Sequence, residues 1–170
     1  GLNGEEADKG YIALSIIKAK EFPLMKHEYT GVILSYLLAP IVGLLGTTVA
    51  TLRLTVTLWI LLGVMLAYKI TKEWFGRRVA AFFLLLTLTN VYLFQTVKLG
   101  FFIETTILFT FFMGSVYMLW GYVSLGRLNR NLLFFSALLF GLGLSQKIIF
   151  LYYVIATILC YFLMGRKIKI

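Results

Sequence analysis

Three carboxylates, Glu5, Glu6 and Asp8, fall within four residues at the start of the chain, and a second polar cluster, His27-Glu28, follows downstream. Basic residues then recur inside or at the edge of long apolar runs: Arg53, Lys98 and Lys147, with Gln95, Glu104 and Gln146 nearby. Ionisable groups in such runs are costly and face a cavity or a partner. A carboxylate on a membrane-facing loop can act as general base toward a hydroxyl or amine, or hold a divalent cation through hard oxygens. Lys or Arg at the bilayer surface can neutralise charge developing on a phosphate leaving group. Together these residue types fit transfer of a group from a lipid phosphate to an acceptor, and they fit simple binding of an anionic lipid too. Each also has a plainer use. Asp8 can cap or solvate a helix, His27 can be an exposed loop residue, and Glu104 can pair with Lys98 or Arg53. Lys98 and Lys147 can snorkel, and Arg53 can meet a lipid phosphate.

The elements that must position these groups are membrane helices. The chain has 170 residues, is 61% hydrophobic and only 14% charged, with a mean hydropathy of +0.92. A soluble domain of this size needs far more polar surface. The expected fold is an all-α, multi-span transmembrane helical bundle. Five runs read as spans: Thr48–Tyr68, Val79–Val97, Leu99–Tyr122, Leu132–Gln146 and Ile148–Met164. The net charge of +9 is no nucleic-acid footprint, because the basic residues sit at span ends rather than in one patch. The one cysteine, Cys160, cannot form an intrachain disulfide and reads as a packing residue.

Orientation follows from the basic residues. Lys69, Lys72, Arg77, Arg78, Arg127, Arg130, Arg166, Lys167 and Lys169 fall in alternate loops with a single acid, Glu73. The other side holds seven basic residues against six acids. The first set marks the cytoplasmic face, which puts the acidic N-terminal loop outside and the C-terminus inside. The candidate cations Arg53, Lys98 and Lys147 then lie in the outer leaflet region beneath the acids. One run resists assignment. "YTGVILSYLLAPIVGLL", Tyr29 to Leu45, is apolar enough to span, yet Pro40 is expected to break it and only Gly46-Thr47 separates it from the next span. It either spans or lies on the outer surface. The stretch Ala7–Lys20, with Tyr11, Leu14 and Ile17 on one side and Asp8, Ser15 and Lys18 on another, reads as an interfacial helix.

The ordered series "GEEADKGYIALSIIKAKEFPL", "HEYTGVILSYLLAPIVGLLG", "TLRLTVTLWILLGVMLAYKITKEWFGRRVAAFFLLLT" and "GLGLSQKIIFL" resembles the N-terminal half of GT-C fold glycosyltransferases. The resemblance is to the protein O-mannosyltransferase and lipid A aminoarabinose transferase group. It implies two external juxtamembrane helices within residues 1–47, one of them Tyr29–Leu45, and a transmembrane bundle over 48–170. It aligns Glu5-Glu6 with the family's Asp-Glu pair, whose first acid is the proposed catalytic base or orients the acceptor near a metal. Here that acid is Glu, one methylene longer. It makes Glu28 a metal ligand; Glu6 and His27 are further donors that the residues themselves offer nearby, so a divalent metal ion is an expected cofactor. Tyr29 stands where the aminoarabinose transferases have a phosphate-contacting Lys. Arg53 matches the family's Arg-Leu pair, and Lys147 matches a basic residue that could bind the lipid phosphate, with Lys98 as a further substrate contact.

The function so implied is a membrane glycosyltransferase that takes sugar from a polyprenyl-phosphate donor to an acceptor on the non-cytoplasmic face. The alternative is a non-catalytic membrane subunit or lipid-binding scaffold that keeps part of the fold. A small transporter fits less well, since no polar residue lies near span midpoints on both sides. The expected partners are the polyprenyl-phosphate donor, membrane lipids, and other membrane subunits or the remainder of a longer chain, because the sequence starts with Gly and ends mid-pattern in "GRKIKI".

Overall fold

The computed structural model describes residues 4–26, 30–90, 103–124, 130–147 and 150–156. Helix α1 (Gly4–Ile17) leads through strand β1 (Met25–Lys26) and antiparallel strand β2 (Thr30–Gly31) into α2 (Ile33–Leu45). Then come α3 (Val49–Phe75), α4 (Arg77–Leu88), α5 (Ile103–Ser124), α6 (Arg130–Gln146) and α7, helical over residues 150–156. Apart from the two-residue strands, the described chain is all helical.

Helix α3 begins one residue later than expected and runs seven further, to Phe75. Thr48 caps it, its Oγ1 accepting from the Thr51 amide at 3.1 Å. Only Gly76, at φ 86°, separates it from α4, and that left-handed conformation is one a side chain strains to adopt. The expected second span is helical as far as Leu88, and residues 91–97 lie outside the described residues, as do 157–164 of the expected last span. Among the described residues α3, at 27 residues, is the one helix long and apolar enough to cross a membrane.

One expectation needs correction. Pro40 does not break its segment: α2 runs unbroken through it, with Pro40 exposed so that its ring points off the packed face. Pro40 still has no amide to offer the Tyr36 carbonyl. At 13 residues α2 is about 20 Å long, shorter than a bilayer core of about 30 Å. In α1 the expected apolar side is largely exposed, as at an interfacial helix, although its Leu14 packs against the cluster around Ala13. Tyr11 and Ile17 are exposed, whereas Lys9, Ile12, Ala13 and Ser15 are buried. The small Gly10 and Ala13 let α1 approach α2 and α3 closely, and Leu38, Ala39, Val42 and Leu52 close over Ala13.

The remaining helices alternate in direction. Helix α5 runs parallel to α3: Thr110 Oγ1 donates to the Trp59 carbonyl at 2.7 Å, Lys69 Nζ stands 5.7 Å from the Tyr117 ring, and Trp74 meets Trp120 edge to face at 5.3 Å. Helix α6 runs back along α5. Ser115 and Ser136 exchange side-chain to carbonyl hydrogen bonds of 3.0 and 2.9 Å, and Gly114 faces Leu139. Lys69, Lys72, Arg77, Arg78 and Arg130 therefore share one end of the bundle. Helix α3 is apolar all round. Val56, Ile60 and Val64 are buried, while Leu54, Leu58, Leu61 and Met65 form an exposed stripe at helical spacing.

Two predictions follow from this packing. A methyl on Gly63 would stand 2.7 Å from Thr110 Oγ1 and 2.9 Å from the Phe109 ring, so Gly63→Ala should cost on the order of 1–3 kcal/mol by forcing α3 and α5 apart. Thermal denaturation of the purified protein measures it. At the end of α1, the Lys20 amide reaches the Ser15 carbonyl and the Ala19 amide the Ile16 carbonyl, a Schellman closure that holds Ala19 at φ 51°. Ala19→Gly should raise stability by roughly 1 kcal/mol in the same assay.

Candidate functional site

The end of the bundle opposite the five basic residues is organised by a glutamine. Val32, the residue before α2, makes no side-chain capping bond, so the first amide of the helix needs an outside partner. The Ile33 N–H donates to Gln146 Oε1 at 3.1 Å, across 113 residues of sequence. Gln146 is fully buried, and its Nε2 has no hydrogen-bond partner among the described residues. The Ile33 N–H fixes the amide's orientation, because a flip would set donor against donor. A buried donor left unmade costs about 1–3 kcal/mol.

Lys147 follows directly, half-buried in the turn between α6 and α7. Its amide donates to the Gly143 carbonyl at 3.3 Å and its carbonyl accepts from the Phe150 amide at 3.0 Å. The Phe150 ring is wholly buried against Gly143 and packs edge to face on Phe140 at 5.5 Å. Leu34, Val56 and Phe150 belong to one apolar cluster. Arg53 stands one turn before Val56, partly exposed, next to the Leu52 that packs on Gly10. Arg53 and Lys147 are thus brought to the same end of the bundle.

Helices α1 and α2 run parallel. Ser35 Oγ donates to the Lys9 carbonyl at 3.4 Å, and eight residues along both helices Ile17 lies beside Gly43. The first turn of α1, whose backbone carries Glu5 and Glu6, is therefore level with the start of α2 and with Gln146. For Glu5, Glu6 and Glu104 the description stops at the helical backbone. His27, Glu28 and Tyr29, which join β1 to β2, and Lys98 lie outside the described residues. Among the described residues no group of three or more His, Cys, Asp or Glu stands together.

The sequence profile of the dolichyl-phosphate-mannose-protein mannosyltransferase family matches residues 30–170. The chain belongs to that family. No curated protein and no solved structure matches it. The family is one of membrane glycosyltransferases of the mannosyltransferase type, and the matched span takes in Arg53, Lys98 and Lys147 but begins after the acids of α1 and after His27, Glu28 and Tyr29. Within this mannosyltransferase-family chain, the sequence alone marks Gln146 only as a polar residue at the end of an apolar run. The signal that singles it out is an uncharged amide closing a long apolar helix, where a polar side chain needs a reason.

The Lys147 turn rests on the contact between Gly143 and Phe150, with no room for a methyl between them. Gly143→Ala should displace the ring and cost on the order of 1–3 kcal/mol. Thermal denaturation beside Gly141→Ala, whose site is open, checks the effect.

Proposed function

We propose that the chain transfers a sugar from a polyprenyl-phosphate donor to an acceptor on the non-cytoplasmic face of a membrane. Family membership gives the reaction class. The observation that carries the reading for this chain is the shared bundle end: the acid-bearing turn of α1, Arg53 and Lys147 lie at one end. Glu5 or Glu6 takes the proton of the acceptor hydroxyl as its oxygen bonds to the anomeric carbon. The bond from that carbon to the phosphate oxygen breaks with inversion, and the polyprenyl phosphate departs with its charge met by Arg53 and Lys147. Lys98 and Tyr29 complete the donor contacts. The oxygens of Glu6 and Glu28 and the His27 imidazole suit a divalent ion, which would supply further charge for the phosphate.

Membrane placement rests on composition and on the helix exteriors. The exposed stripe of α3 and its counterparts, Phe82 and Leu86 on α4 and Phe134 and Leu138 on α6, would face lipid in a multi-pass bundle. Helix α5 has 22 residues, about 33 Å, and includes the apolar stretch Ile107–Val123. The basic end is cytoplasmic, and α1 and α2 lie at the opposite surface. A second reading, a lipid-binding subunit without catalysis, is favoured by one observation: the family match starts at residue 30, beyond Glu5 and Glu6.

Replacing the catalytic base by glutamine should lower transfer roughly 10²–10⁴-fold in the folded protein. Glu5→Gln and Glu6→Gln, assayed separately with a polyprenyl-phosphate sugar, identify which acid it is. Arg53→Ala and Lys147→Ala should raise KM for the donor. Full activity in both glutamine variants rejects the acid assignment and favours the lipid-binding reading.

A further inference from the structure

We propose that Gln146 is a positioning residue that locks the first turn of α2 to the Lys147 turn and so sets the affinity of that end of the bundle for a lipid phosphate. The phosphate half rests on the donor reading above; the lock itself does not. Helix α2 has no capping side chain of its own, and its first amide is met by Gln146 Oε1 at 3.1 Å. Strand β2 ends two residues before α2 and lies against α6. The same bond therefore ties the hairpin that leads into α2 to the residue just before Lys147. Helix α1 rides on α2 through the Ser35 to Lys9 contact, so the turn bearing Glu5 and Glu6 is carried along.

A cap for one helix would need only an acceptor, and a carboxylate or hydroxyl serves that purpose. A neutral amide in a fully buried position keeps the acceptor without bringing a second charge beside Lys147. Its Nε2, without a partner among the described residues, is the part that capping leaves unexplained. It is a buried hydrogen-bond donor on the residue that precedes the proposed phosphate cation in sequence.

Two variants separate the roles. Gln146→Met keeps the length of the side chain and removes both acceptor and donor. Gln146→Glu keeps an oxygen for the Ile33 N–H and removes the donor. Hydrogen exchange of the full chain reads the lock. Binding of a polyprenyl phosphate without sugar, in detergent or nanodiscs, reads the affinity and needs no turnover. Gln146→Met should speed exchange at least tenfold in the first turn of α2 and around β2, leave mid-helix α3 and α5 unchanged, and weaken binding about tenfold or more. Gln146→Glu should restore slow exchange in α2. Wild-type exchange at α2 in Gln146→Met overturns the lock, and so does equal acceleration throughout α3, α5 and α6, which would mark a general loss of stability. Slow α2 exchange and undiminished binding in Gln146→Glu would remove any role for Nε2. A wild-type chain that binds no polyprenyl phosphate refutes the donor reading, while the exchange comparison still decides the lock.

Discussion

The outer architecture of this chain depends on one hydrogen bond made far from either partner's neighbours in sequence. The amides that open a helix have no partner within it. In α3 the problem is solved locally by Thr48, but α2 begins with Val32 and has no such residue. Gln146 supplies the acceptor from the end of α6. Without it, α2 would lie on the bundle only through apolar contacts, which in a lipid-facing protein discriminate poorly between one orientation and another. With it, α2, the hairpin before it and α1 on top of it are registered against the turn that holds Lys147.

The bundle beneath is held by a different kind of contact. Apolar side chains gain little by leaving lipid for protein, so close packing and interhelical hydrogen bonds decide how membrane helices associate. The described helices carry those devices where they cross. Gly63 lets α3 meet Thr110, whose hydroxyl reaches a main-chain carbonyl of the neighbouring helix. Ser115 and Ser136 satisfy each other across α5 and α6. The aromatic contacts Trp74 with Trp120 and Lys69 with Tyr117 gather at the basic end, as residues at a membrane–water boundary do. The same contacts fix helix direction, which is what brings Arg53 and Lys147 to the opposite end.

Much of this was legible because charge and hydropathy act over whole segments. The basic residues at alternate run ends, the start of α3 after Thr48 and the end of α6 at Gln146 can be read without coordinates. What could not be read depends on single side chains at contacts. Pro40 looked like a break because sequence does not show that its ring lies on the exposed side of α2. The side of α1 that packs has no hydropathy signal, since Lys9 and Ser15 count as polar, whereas small neighbours, Gly10 and Ala13, decide which face approaches α2. Strands of two residues have no alternation to detect, so β1 and β2 left no trace. Gln146 was visible as a residue but not as a cap, since its partner is a backbone amide that any residue would offer.

The placement of the acids has two physical causes that act together. Glu5 and Glu6 fall in the first turn of α1, where a carboxylate complements the helix dipole for about 0.3–1 kcal/mol. That alone would justify acids there, and it is small enough that neutralising one leaves the helix intact. The parallel course of α1 and α2 adds the second cause. It sets the opening turn of α1 level with the start of α2 and with Gln146, at the end of the bundle that also carries Arg53 and Lys147.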